Sequence, residues 1–290
     1  MLERLALVLL LAAAASAQEP APKEQDPNVL LTTALQRLKT AENVSAAVEV
    51  KHEPPEEEAN AQGGQGAMGI LVQTEILGEA PPFEGRVEAC RAADGTAVLL
   101  SEKELPGFAL YVGEDRTVER TTLEEERFSL DQLKGELCAL LDPAAFARRI
   151  LDAKLEPTRD RATGAVTFRG KVDRDIVPAT GGEMSFLQGR VLDVHATLVV
   201  TADGALASAA IRITRSDPTR EMMRGGTRKI VIRGGPPGAL PPADDDRKHD
   251  IVGGSTTYTL SFGKGGLSER GKAFRAEAER LIGAAPAAGK

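Results

Sequence analysis

Tryptophan is absent from the 290 residues, and Tyr111 and Tyr258 are the two tyrosines. Sugar-binding sites stack rings on exposed Trp or Tyr, so a carbohydrate role is disfavoured. An excess of positive charge is missing too: 36 Lys and Arg against 43 Asp and Glu leave a net charge of -7. Nucleic acid requires clustered cations that displace counterions, and an anionic membrane surface attracts the same cations. Neither partner fits. After residue 17 no stretch approaches the roughly 20 apolar residues of a spanning helix, so no transmembrane segment is expected. The signatures GxSxG and HExxH do not occur, which removes the common serine-hydrolase and zinc-peptidase readings. His52, His195 and His249 are scattered without ligand spacing, so neither a metal nor a cofactor is expected.

What is present begins at the N-terminus. Arg4 and the free amine precede an apolar run from Leu5 to Ala14, closed by Ala15-Ser16-Ala17. That order is a secretory signal peptide with a small-x-small cleavage site. The mature chain is therefore expected to start at Gln18 and to work in the periplasm or outside the cell. Residues 18–25 form a polar leader, 26–283 a single domain and 284–290 a tail. An apolar content of 42% supports a sizeable core. Cys90 and Cys138 are the two cysteines, and an oxidising compartment allows them to pair. A bridge would contribute roughly 4 kcal/mol in the chain-entropy model.

Asp26 and Pro27 begin a helix carrying Leu31, Ala34, Leu35 and Leu38 at helical spacing. Val44, Ala46, Val48 and Val50 then alternate as a strand. Ile70, Val72 and Ile76 restart the pattern after a loop, followed by Phe83–Ala89, Val98–Leu100, Phe108–Val112 and Val118. Two helices interrupt the strands. Ser129 with Gln132 forms a capping box before Leu130, Leu133, Leu137, Leu140 and Leu141; Asp142-Pro143 starts the second, with Phe146, Ile150 and Leu151. Strands return at Val166–Val172 and Phe186–Val200. Asp203-Gly204 turns the chain into Ala209–Ile213, and Ile230–Ile232, Thr256–Phe262 and a helix over Ser268–Ile282 close the order. Strands joined by short turns make an antiparallel sheet. The fold class is therefore α+β: a strongly curved antiparallel sheet of about ten strands, an open half-barrel, with central helices covering the concave face.

Several motifs carry no chemistry in this context. Gly64–Gly69 matches GxGxxG, but a Pro/Glu loop precedes it and a strand follows, the reverse of a dinucleotide site. Ile251–Gly254 resembles an activated protease N-terminus, but too little chain follows for a protease domain. The runs Glu124–Glu126 and Asp244–Asp246 are contiguous, and contiguous carboxylates converge poorly on one calcium ion. His195 is out of phase with Val194 and Ala196 and is expected to face solvent.

Leu141-Asp142-Pro143-Ala144-Ala145-Phe146, continuing to Ile150-Leu151 and the strands over 165–172, resembles the central helical insert of the LolA/LppX-like periplasmic lipoprotein and lipid carriers. Thr201–Leu206 leading into Ala209–Thr214 is similar to that family's second-half hairpin, and Leu31–Val50 fits its opening. The strand without Trp at Val112–Arg116, the missing lipid-anchor cysteine and the long polar stretch Gly225–Gly254 depart from it. The resemblance implies an open half-barrel holding acyl chains or a lipoprotein in an apolar cavity.

On that reading Val48, Val50, Ile70 and Val72 face the cavity from the first strands, with Phe108 and Leu110 beyond them. Phe168, Leu198, Val200 and Ile211 face it from the second half, and Leu137, Leu141 and Phe146, with Leu133 and Ile150, cover it incompletely from the helices. The chain is expected to be a non-enzymatic monomer. Two other readings stay open: an interaction module with a filled half-barrel that meets an envelope protein at its rim, and a hydrolase with an unrecognised site.

Overall fold

The Asp26 side chain accepts a hydrogen bond from the Asn28 N–H, and Pro27 occupies the first helical position, where no N–H is needed. Helix α1 (Pro27–Lys39) starts there in the computed structural model, which describes residues 25–55, 83–103, 107–122, 130–177, 189–217, 251–263 and 266–284. Five strands follow: β1 (Asn43–Glu53), β2 (Gly85–Ala92), β3 (Ala97–Ser101), β4 (Phe108–Val112) and β5 (Thr117–Thr121). Then come α2 (Leu130–Leu140) and α3 (Pro143–Asp152). The second run of strands is β6 (Glu156–Arg159), β7 (Val166–Lys171), β8 (Val191–Val200), β9 (Leu206–Ser216) and β10 (Val252–Phe262), and α4 (Glu269–Ala284) ends the order. Ile70, Val72, Ser129 and the expected strand at Ile230–Ile232 lie outside the described residues.

All ten strands form one antiparallel sheet in the order β5-β4-β3-β2-β1-β10-β9-β8-β7-β6. The sheet is curved and open, with β5 and β6 at its two edges, and its alternating strands turn one face to the core. Each half is a meander, and the first and last strands, β1 and β10, join the two at the centre. Short turns join β2 to β3, β3 to β4, β4 to β5, β6 to β7 and β8 to β9, whereas the other connections within the sheet are longer. Gly204 at φ 74° donates its N–H to the Thr201 carbonyl between β8 and β9, in a backbone region that glycine adopts without steric cost.

The concave face is apolar from Phe108 and Leu110 on β4 to Val166 and Phe168 on β7. Three helices cover it. Leu30, Leu31, Ala34 and Leu35 of α1, Leu133 and Leu137 of α2, and Phe146 and Ile150 of α3 all enter the same core. Asp142 caps α3 by accepting from the Ala144 and Ala145 N–H groups at 3.0 and 2.9 Å. The same carboxylate pairs with Arg91 of β2, which also donates to the Cys138 carbonyl, so β2 is tied to the α2–α3 corner.

The opposite face is not left to solvent throughout. Helix α4 lies over β2, β3 and β4, packing Phe274 and Ala278, with Leu267 just before it, on Cys90, Val98, Leu100 and Tyr111. Its first turn is anchored where Ser268 donates through N–H and Oγ to Glu88. Strand β3 is consequently buried on both faces. The expected cysteine bridge is not made. Cys90 points into the α4 layer while Cys138 packs on the helical layer beneath, so the sheet separates two free thiols. Burial raises the pKa of both thiols. No helix among the described residues is long and apolar enough to cross a membrane.

Candidate functional site

Of the residues expected to line a cavity, the structure gathers Val48, Val50, Phe108, Leu110, Phe168, Leu198, Val200 and Ile211 on the concave face, with Leu137, Leu141 and Phe146 above them. Their burial is complete or nearly so; Leu198 and Ile211 are 0% exposed. That leaves no water-sized space against these side chains in this conformation. The cover expected to be incomplete is closed over them. A groove of about 320 Å³ lies elsewhere, between the start of α1 and the β8–β9 turn, and is lined by Asp26, Val29, Arg37 and Asp203 among others. It contains none of the expected lining residues.

Three polar side chains interrupt the apolar interior. Glu136 of α2 is 0% exposed. It falls on the helix face that carries Leu133 and Leu140, three residues after one and four before the other, so it points where those leucines point. Arg215 continues the inward phase of Ala209, Ile211 and Ile213 along β9. Tyr258 of β10 sits in register between Val50 of β1 and Ile211 of β9, in the middle of a row of expected lining residues.

These three residues meet. One Glu136 oxygen, Oε1, accepts from Arg215 Nη2 and, at 2.9 Å, from Gln132 Nε2. The other, Oε2, accepts from the Tyr258 hydroxyl. Burial, followed by the charge and hydrogen bond of Glu136, pushes the Tyr258 phenol well above its ordinary pKa, so it remains a donor at neutral pH. An isolated buried carboxylate would be prohibitive in such surroundings, and its three donors make it tolerable. Arg215 Nε is buried without a hydrogen-bond partner. The guanidinium therefore presents a donor pair, Nε and Nη2, of which Glu136 uses one.

The arrangement divides by element. The sheet supplies a cation and a hydroxyl on rigid strands, and the helical cover supplies the anion. Both sheet-borne groups, the Arg215 guanidinium and the Tyr258 hydroxyl, present hydrogen-bond donors to the carboxylate. Sequence reading missed all three residues. The available signal was a charge or hydroxyl at a position where the periodicity calls for an apolar side chain.

His195 lies on the solvent side of β8, as its phase requires. It pairs through Nε2 with Asp193 at 2.6 Å, and Lys171 pairs with the same carboxylate. Partial burial works against ionisation of Asp193, but the Lys171 hydrogen bond and the charges of His195 and Lys171 hold its carboxyl below the usual range. No family model matches this chain, and no curated protein matches it.

Proposed function

We propose that this chain is an exported carrier of acyl chains, with the helices α2 and α3 acting as a removable cover over the concave sheet. The observation that carries this reading is the apolar concave face, continuous from β4 to β7 and covered by a separate helical segment rather than by a second sheet. Withdrawing the cover exposes a Leu, Val, Ile and Phe surface to which an acyl chain contributes ~0.8 kcal/mol per buried methylene. Exchange of helix side chains for ligand methylenes keeps that surface out of water in both states. The likeness of Leu141–Leu151 and Thr201–Thr214 to the LolA/LppX-like carriers supports the same reading.

One observation favours a second reading. The complete burial of Leu198 and Ile211 suits a half-barrel filled by its own side chains, which would meet an envelope protein at its rim. Native mass spectrometry of protein purified from its own envelope separates the two. A carrier shows a population heavier than the polypeptide by the mass of a lipid, which organic extraction removes. Bare polypeptide alone, together with no uptake of a fluorescent fatty acid, selects the filled module.

A further inference from the structure

We infer that Arg215 and Tyr258 form the subsite for an anionic headgroup, a carboxylate at the end of the acyl chain, and that Glu136 occupies this subsite as an internal stand-in when the cover is closed. This rests on the carrier reading and adds to it the chemical class of the ligand. Three observations carry it. Two of the three donors to Glu136, Arg215 and Tyr258, belong to the sheet, whereas Gln132 and Glu136 share the cover, so the carboxylate leaves with α2 while the cation and hydroxyl stay. The stand-in is itself a carboxylate, and its two oxygens are divided between Arg215 and Tyr258. Arg215 Nε is a buried donor without a partner, which a closed, purely structural ion pair leaves unexplained. A ligand carboxylate gripped through Nε and Nη2 together satisfies it in the bidentate manner that suits guanidinium.

Position agrees with chemistry. Arg215 stands near the end of β9, and Ile213, Ile211 and Ala209 follow it on the same face. A chain anchored by its headgroup at Arg215 has about 20 Å of apolar strand beneath it. The ligand is thus a single-chain amphiphile with a charged head. A neutral acyl lipid cannot replace Glu136 without leaving the Arg215 charge buried and unpaired, which disfavours it.

The test is equilibrium binding of two probes with the same chain, palmitate and hexadecanol, to the full mature protein. Palmitate is expected to bind at least ten-fold more tightly than hexadecanol. Arg215→Gln is expected to abolish the difference, and Glu136→Gln, which weakens the closed state that either probe must open, to tighten both probes about ten-fold and preserve the difference. Tyr258→Phe, which keeps the ring in place, should narrow the difference if the other variants do not fold. A phosphate arm, hexadecyl phosphate, asks whether any anion suffices: binding as tight as palmitate widens the class to anionic heads, whereas weaker binding confines it to carboxylates. Equal binding of palmitate and hexadecanol to the wild type overturns the headgroup subsite and leaves the carrier intact. Failure of both probes to bind overturns the carrier reading and the subsite with it.

Discussion

The two covers of this sheet are built differently. On one face α4 is held by apolar contacts of Phe274 and Ala278, with Leu267 just before it, and its polar bonds stay at the rim: Ser268 to Glu88, Arg270 to the Ser101 carbonyl and Glu277 to Arg120 of β5. On the other face α2 carries Glu136 into the core and meets Arg215 and Tyr258 there. An ion pair at the centre of a cover is a poor way to gain stability, because desolvation of both charges offsets their attraction. Hydrophobic replacement would hold α2 at least as firmly. The α4 cover therefore reads as permanent, and the α2 cover as one whose attachment must be specific and exchangeable.

The largest effect that sharpens this contrast comes from breaking the buried pair on one side. Arg215→Met leaves Glu136 buried with its cation gone and is expected to cost about 3–5 kcal/mol in urea unfolding. The double variant Glu136→Leu/Arg215→Met should recover stability to the wild-type level or above, while losing any exchange of α2. A cost below about 1 kcal/mol for the single variant would show that α2 is not attached through this cluster.

Next in size is Phe274→Ala on the permanent cover. Loss of the ring should cost about 3 kcal/mol, the lower end for a buried Phe, since the α4 cluster is small. Acyl-chain uptake should be unchanged, because the ring lies across the sheet from the concave face. Loss of uptake in a folded Phe274→Ala protein would break the division between covers.

Much of the fold is legible in the sequence because period-2 alternation and helix caps act locally. Val194, Ala196, Leu198 and Val200 against Ala209, Ile211 and Ile213 specify their hairpin, and Asp142-Pro143 specifies the start of α3. Strand β6 is not legible: Glu156-Pro157-Thr158-Arg159 is a sheet edge with no buried side chain, so no alternation marks it. The covering of β3 on both faces has a signal in the unbroken apolar run Ala97–Leu100, which reads as a doubly buried strand only once α4 has somewhere to go. The polar cluster is legible only residue by residue. Glu136, Arg215 and Tyr258 come from three elements far apart in the chain, and nothing local brings them together.

The smallest effect lies on the uncovered half of the outer face. The Asp193 carboxyl, depressed by Lys171 and His195, binds its proton less readily in the folded than in the unfolded chain. Its contribution is therefore present above the ordinary carboxylate pKa of about 4 and is lost as pH falls through the lower folded value. Asp193→Asn should flatten that part of the stability profile by lowering the neutral-pH Tm slightly while leaving stability below the folded pKa nearly unchanged. An equal loss at the acid end would assign Asp193 a packing role instead.

The claim that one cover exchanges and the other does not is tested most directly by hydrogen exchange of the mature protein with and without palmitate. The amides of 130–140 in α2 should lose protection on adding palmitate, and those of 269–284 in α4 should keep theirs. Unchanged protection in both helices, or an equal loss in both, would contradict it.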